Sequence, residues 1–160
     1  MKAPEPPSEE LSVWRAGLED LDALVPLFDR YRGFYGLRSD PGLCRSYLKE
    51  RISKAESVVF LAASRPGATA GFVQMYPTFG SLQAGRVFVL YDLFVSQDER
   101  RKGVGRLLME RAKAHAEEAH ARSIVLSTAT TNHAAQRLYE SLGYRRDVEF
   151  FTYELSLGPG

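Results

Sequence analysis

The chain has 160 residues, a length that suits one domain and is enough to bury a substantial single core. Hydrophobic residues make up 44% and charged residues 26% of it, an ordinary globular balance, and the formal net charge is only +1. This charge argues against a nucleic-acid partner, and the longest apolar run, VVFLAA, is far shorter than the roughly 20 residues that cross a bilayer, so no membrane association is expected.

The single cysteine, Cys44, cannot form an internal disulfide, and nothing else in the sequence points to secretion. The first ten residues, MKAPEPPSEE, are rich in proline and acid and contain no apolar run of the kind found in a signal peptide. We therefore expect a cytoplasmic protein with a flexible tail over residues 1–10 and one domain over residues 11–157.

The predicted elements begin with a short strand in LSVWRAG and two helices, in LEDLDALVPLFDRYRGF and LCRSYLKERISKA, whose apolar residues recur at helical spacing. SVVFLAAS and GFVQMY then form a predicted hairpin, and PTFGSLQAG is a predicted loop. RVFVLYDLFV is apolar on both faces apart from Asp92, which is typical of a strand inside a sheet.

The second half continues with a helix from Gly103 to about Ala119, a strand in SIVLSTA, a helix in NHAAQRLYESLG and an alternating strand in EFFTYELSL. Asn132 is predicted to cap the start of the last helix, and Gly143 is predicted to follow its end. The order β-α-α-β-β-β-α-β-α-β indicates a single α/β (α+β) domain with a mixed sheet.

Charge and glycine are densest in DERRKGVGRLLME, residues 98–110, between a strand and a helix. The first amides of a helix have no internal partner and bind anions readily, and glycine lets a ligand approach the backbone closely. The pattern therefore predicts a phosphate site, most simply for a pyrophosphate, and the alternative is a solvated basic turn.

Two nucleotide-binding motifs fit this junction poorly. A P-loop requires Gly-Lys-Ser/Thr, whereas Gly105 is followed by Arg106 and Leu107. A dinucleotide fingerprint requires a third glycine where Leu108 stands and an acid at the end of the next strand, which here reads LSTA.

Arg100-x-x-Gly103-x-Gly105 resembles the acetyl-CoA motif of the GCN5-related N-acetyltransferases, the GNAT superfamily, and TTNHAAQRLYESLGYRR resembles their second signature. The resemblance covers about residues 11–155 and implies a mixed sheet with splayed middle strands and about four flanking helices. VLYDLFV and TNHAAQRLYESLGY are most similar to the branch of polyamine and yeast histone/polyamine acetyltransferases. Tyr91 stands where that branch carries its usual general-base glutamate, and Asp92 is kept.

The resemblance also implies how acetyl-CoA is held. Backbone groups of the strand would bind the acetyl and pantetheine end, and the junction would bind the pyrophosphate. The residues implied are Leu93, Phe94, Val95, Arg100, Arg101, Lys102, Gly103, Val104, Gly105, Arg106 and Asn132. For Asn132 a role as helix cap alone is the alternative.

Tyr139 matches the family tyrosine that protonates the departing thiolate, and a place in the core is its alternative. Asp92 is a candidate for attracting the substrate ammonium or accepting its proton through water, because a carboxylate inside a strand is costly unless it has partners. The alternative for Asp92 is a structural carboxylate held by backbone donors. Tyr91 should face the opposite side of the sheet unless a bulge breaks the alternation, as it often does in the family.

Phe34 and Tyr35, in the aromatic segment YRGFYG, are candidates together with Tyr91 for cation–π contacts with an amine, and packing is their alternative. The three histidines, His115, His120 and His133, form no metal-ligand spacing, so we expect no metal.

The sequence thus predicts an acetyl-CoA-dependent N-acetyltransferase acting on a primary amine, such as a polyamine, a lysine-like group or another small amine. Transfer would be direct, in a ternary complex, since Cys44 lies far from both motifs in the sequence. The alternatives are a non-catalytic acyl-CoA sensor and a transferase of another acyl group. The resemblance also suggests a homodimer.

Overall fold

The computed structural model describes residues 11–158, and the predicted tail over residues 1–10 lies outside the described residues. The chain divides into two compact units, the first through Ser127 and the second from Thr128. The first unit contains β1 (Ser12–Arg15), α1 (Leu21–Phe34), α2 (Pro41–Ser53), β2 (Val58–Arg65), β3 (Ala68–Gly80), β4 (Gly85–Val95), α3 (Val104–Glu118) and β5 (Ser123–Leu126). The second unit contains α4 (His133–Ser141).

The five strands form one mixed sheet in the order β1-β2-β3-β4-β5. The neighbours among β1 to β4 are antiparallel, and β5 runs parallel to β4. β4 therefore has a partner on each side, as its apolar sequence predicted. The predicted mixed α/β architecture with four helices is confirmed.

Helices pack on both faces of this sheet because successive residues of a strand point to opposite faces. On β2, Val59 and Leu61 belong to the core cluster formed with α1 and α2. Phe60, between them, lies against His115 of α3, with ring centroids 5.7 Å apart. Two apolar layers thus enclose the middle strands.

The helix α2 begins two residues earlier than its apolar pattern indicated. The carboxylate of Asp40 accepts a hydrogen bond from the Leu43 amide at 2.9 Å, and Pro41 occupies the first helical position, where no amide hydrogen is needed. The capping residue determines where the helix starts, and the spacing of apolar residues carries no information about the cap.

The predicted loop PTFGSLQAG is wrong in its first half, because β3 continues through Gly80. Pro77 pairs with Phe88 of β4, whereas the described pairing of β3 with β2 ends at Met75. This end of β3 is an edge, where a residue without an amide hydrogen is accepted.

The predicted strand EFFTYELSL is also not observed, since residues 145–158 contain neither helix nor strand. The Asp147 carboxylate instead accepts from the amides of Glu149 and Phe150, at 2.8 and 3.3 Å, and forms a local turn. Alternation of apolar and polar residues is typical of a strand, but a strand also requires a neighbouring backbone to pair with, and alternation does not show whether one is present. Its apolar side chains remain exposed, among them Val148, Phe150, Phe151, Tyr153, Leu155 and Leu157.

Candidate active site

A β-bulge in β4 places two neighbouring side chains in one cavity. Gln74 of β3 pairs with Asp92, and the next residue, Met75, pairs with Leu90, so Tyr91 is an extra residue without a partner on β3. Tyr91 and Asp92 consequently both line the cavity, although regular alternation would separate them. The Tyr31 hydroxyl donates to the Tyr91 carbonyl at 3.1 Å and so holds the bulge.

Asp92 is only 6% exposed and accepts a hydrogen bond from Nε2 of Gln74 at 2.8 Å. Burial raises the pKa of Asp92, and the hydrogen bond from Gln74 opposes the rise. The carboxylate is therefore held by side chains, whereas the structural alternative assumed backbone donors. Gln74 is fully buried, and the sequence analysis missed it, although a lone amide in the apolar run GFVQMY was a usable signal.

The cavity has a volume of about 440 Å³ and is walled by five aromatic rings and one carboxylate. The lining residues are Phe28, Tyr31, Tyr47, Tyr76, Tyr91 and Asp92. The phenol oxygens of Tyr47 and Tyr76 are 2.5 Å apart. Burial is the main cause that raises the pKa of Tyr31 and of Tyr76, and the charge of Asp92 adds to it, so both phenols remain protonated.

Four of these residues, Phe28, Tyr31, Tyr47 and Tyr76, were not predicted as site residues. They come from α1, α2 and β3, and only the tertiary fold brings them together. Phe34 and Tyr35 are not among the lining residues and are 60% and 54% exposed at the end of α1. The Tyr35 ring packs edge-on against Tyr31 at 5.2 Å, and the substrate-binding role of both residues stays a prediction.

The pairing of β4 with β5 ends directly before the bulge, where β5 itself ends at Leu126, and the splay of the middle strands stays a prediction. β5 pairs with Val87–Leu90 of β4, and the described residues show no pairing between these strands beyond Leu90. The Ser96 amide donates to the Ala70 carbonyl of β3, at 2.8 Å, so strand alternation turns the Leu93 and Val95 amides to the opposite edge of β4. On that edge the Val95 carbonyl accepts from Arg100 Nε.

The loop after β4 turns through residues with left-handed backbone, Arg101 at φ +63° and Gly103 at φ +86°. Gly103 is the N-cap of α3, which therefore begins at Val104, one residue later than predicted. Glycine adopts this conformation without the strain that a side chain would add. The first amides of α3 consequently lie beside an exposed basic loop, as an anion site requires.

The cations of the loop differ in their surroundings. Arg100 Nε donates to the Val95 carbonyl at 3.1 Å and joins the loop to the end of β4. Lys102 pairs with Glu99 at 3.4 Å. Arg101, Lys102 and the side chain of Arg106 on α3 are exposed, so positive charge faces solvent near the helix start.

In the second unit, the caps predicted for α4 are confirmed. Asn132 accepts from the Ala135 amide at 3.3 Å, and Gly143 adopts φ +88° while the Tyr144 amide donates to the Tyr139 carbonyl at 3.1 Å. Tyr139 is half-buried, and its ring lies 6.0 Å from that of Tyr144. The roles of Asn132 at the cofactor and of Tyr139 as general acid stay predictions.

Cys44 lies in the core under α1 and α2 and is fully buried. Its Sγ is 3.6 Å from Oδ1 of Asp29, and burial raises the pKa of the thiol. A buried protonated thiol is a poor nucleophile. Among residues 11–158 no cluster of three or more His, Cys, Asp or Glu side chains is placed to hold a metal ion.

Comparisons with known proteins agree on one protein family. Residues 21–144 match the model of the acetyltransferase (GNAT) family. The N-acetyltransferase YhfO of Bacillus subtilis (strain 168), itself described as uncharacterized, is 38% identical over 147 residues, which is 92% of this chain and 98% of YhfO. The yeast D-amino-acid N-acetyltransferase HPA3 (Saccharomyces cerevisiae) is 28% identical over 131 residues, 81% of each chain.

A solved structure supports the same assignment. The crystal structure of a protein called a probable acetyltransferase superposes with a TM-score of 0.87 at 41% identity and covers 93% of this chain and 99% of its own. No helix in the described part of this chain is long and apolar enough to cross a membrane.

Proposed function

The chain is an acetyltransferase of the GNAT family, and we propose that it transfers the acetyl group of acetyl-CoA to a primary amine by direct attack in a ternary complex. The observation that carries the proposal is that the pairing of β4 with β5 ends directly before the bulge that brings Asp92 into a cavity. A stretch of β4 for the thioester would thus adjoin a buried carboxylate for the amine.

In this proposal acetyl-CoA lies along the free edge of β4. The Leu93 and Val95 backbone would bind the pantetheine arm in the manner of an added strand, and an amide there would polarise the thioester carbonyl. The pyrophosphate would bind the amides at the start of α3, where the left-handed Gly103 opens the helix and exposed cations surround it. Both parts of the chain fit an extended, phosphate-bearing ligand.

Asp92 is the proposed partner of the acceptor ammonium. The carboxylate attracts the cation and takes its proton, directly or through water, because only a neutral amine can attack. A general base is most effective when its pKa lies near the working pH, and the raised pKa of Asp92 moves towards neutral pH. Nitrogen then bonds to the acetyl carbon, the carbon–sulfur bond breaks, and the nitrogen releases its second proton to water. Tyr139 is the proposed donor of a proton to the departing thiolate and takes a proton back from water.

Direct attack is favoured over an acetylated enzyme. An acetyl-enzyme would require a nucleophile such as a thiolate, and the only cysteine of the chain is buried in the core with its pKa raised. We further propose a cytoplasmic homodimer related to the polyamine and histone/polyamine acetyltransferases. This branch rests on the similarity of VLYDLFV and TNHAAQRLYESLGY to its members.

The proposal is tested by thiol release from acetyl-CoA with a panel of polyamines, amino acids, aminoglycosides and basic peptides, with propionyl-CoA as a second donor. Release that depends on one class of amine is expected. Tight binding of acetyl-CoA without release for any amine would instead support a non-catalytic sensor. Faster release from propionyl-CoA would mean that another acyl group is transferred.

A further inference from the structure

We infer that the cavity beside Asp92 is an aromatic cage for an organic cation, so that the acceptor is a primary amine on an apolar stem with no carboxylate on the carbon that bears the amine. This inference rests on the proposed function and specifies its substrate class.

The first step is the character of the walls. Phe28 stacks on Tyr47 with ring centroids 5.8 Å apart, and Tyr76 meets Tyr91 edge to face at 5.4 Å. The faces and edges of these rings line an open cavity of about 440 Å³, which is large enough for a small ligand. Aromatic faces attract ammonium groups, and the attraction is stronger where water is excluded.

The second step is charge. Asp92 is the only charged residue among the six lining residues, and it is almost fully buried. A buried carboxylate without a cation is costly, so an ammonium that enters the cage supplies the missing partner. Neutral molecules of the same shape would not supply it.

The third step is what the lining does not offer to an anion. Arg51 stacks on the ring of Tyr47 at 5.4 Å, but its guanidinium pairs with Glu50 and Glu56, each at 2.9 Å. No lining residue is a lysine or arginine, so an α-carboxylate would enter beside Asp92 without a counter-charge. The lining thus disfavours α-amino acids. The yeast relative, in contrast, is named as a D-amino-acid N-acetyltransferase.

The fourth step separates ring from hydroxyl. The Tyr47 and Tyr76 hydroxyls already bond to each other, at 2.5 Å. At Tyr47, therefore, the cage acts on a cation mainly through the face of the ring. Replacing Tyr47 by Phe keeps the ring, and replacing it by Leu removes it.

The test uses three molecules of nearly one shape, 2-phenylethylamine, phenylalanine and 2-phenylethanol, in calorimetry without acetyl-CoA. We expect the amine to bind at least about tenfold more tightly than either of the others. Tyr47→Phe should retain the affinity within about threefold, and Tyr47→Leu should lose about tenfold. Phe79→Leu, at an exposed ring outside the lining, is the matched control and should change nothing.

Equal binding of phenylalanine and 2-phenylethylamine would overturn the inference. An equal loss with Tyr47→Phe and Tyr47→Leu, in variants that unfold at the wild-type temperature, would also overturn it. The two proposals fail in different ways. Amine binding without any thiol release contradicts the acetyl-transfer proposal alone, whereas efficient acetylation of phenylalanine contradicts the cage alone.

Discussion

Asp92 carries a charge into the interior of the sheet, and its surroundings decide whether that charge serves structure or chemistry. Its partner is the buried amide of Gln74, whose Oε1 has no hydrogen-bond partner among the described residues. An incompletely satisfied polar pair is costly to keep in a core. We propose that the pair serves to bind a ligand cation.

Asp92→Asn should therefore stabilise the fold and impair the reaction. The pKa of Asp92 is higher in the folded protein than its ordinary value of 3.8. Protonation of Asp92 therefore stabilises the fold. This contribution to the free energy of unfolding is complete below pH 3.8 and is lost as the pH rises through the folded pKa. The variant should melt above the wild type at pH 7, and the difference should shrink towards pH 4. Turnover should fall by roughly 10²–10⁴-fold, with a raised KM for cationic amines.

Differential scanning calorimetry and steady-state kinetics on one preparation check this prediction. Acetyl-CoA affinity is the internal control and should not change. A variant that melts lower and keeps its kinetics would support the purely structural role.

Gln74→Met should move the acid side of the pH–rate profile to higher pH. Ionised Asp92 is the proposed proton acceptor, so the rate should rise with pH through its pKa. Removing the Gln74 donor destabilises the ionised form and raises that pKa further. Gln83→Met, at an exposed position in the turn after β3, is the control, and an unmoved profile for Gln74→Met would exclude Asp92 as the titrating group.

Tyr139→Phe removes a phenolic proton and keeps the ring that packs near Tyr144. If Tyr139 protonates the departing thiolate, kcat should fall by roughly 10²–10⁴-fold with little change in acetyl-CoA affinity. Tyr153→Phe, at an exposed tyrosine, is the control. Wild-type turnover in Tyr139→Phe would rule out the general-acid role, and a lowered melting temperature alone would indicate a packing residue.

At the scale of elements, the start of α3 combines a left-handed glycine with helix amides and cations. Gly103→Asp adds negative charge to the proposed pyrophosphate site, so acetyl-CoA should bind at least about tenfold more weakly by calorimetry. Gly103→Asn tolerates the same backbone without the charge and should bind better than Gly103→Asp. Gly67→Asp, at φ +76° in another turn, is the control for backbone strain. Unchanged acetyl-CoA affinity in a folded Gly103→Asp protein would mean that the segment is a basic turn and not a phosphate site.

The elements themselves were largely readable from sequence, because their signals are local. Asn132 and Gly143 bound α4 as predicted, and the apolar run of β4 placed it inside the sheet. Apart from the starts of α2 and α3, which differed by one or two residues, the predictions that failed needed a partner strand. Alternation alone could not show that β3 extends to Gly80 or that EFFTYELSL stays unpaired.

At the scale of the molecule, the exposed apolar side chains of residues 148–157 favour self-association, since exposed apolar patches commonly mark interfaces. We predict a homodimer, measured by light scattering as twice the monomer mass. Phe151→Asp should shift the protein towards monomer, and Thr152→Asp, also exposed, should not. A wild-type monomer at micromolar concentration would contradict this prediction.

The sequence by itself determined the family, the order of most elements and the position of the basic, glycine-containing junction before α3, because caps, periodicity and the Arg100-x-x-Gly103-x-Gly105 spacing depend on residues close in the chain. It also identified Asp92 as an unusual charge. Only the tertiary structure decided that a bulge turns Tyr91 into the same cavity as Asp92. Strand register and the meeting of α1, α2 and β3 around that carboxylate are set by packing between distant segments, which no local pattern encodes.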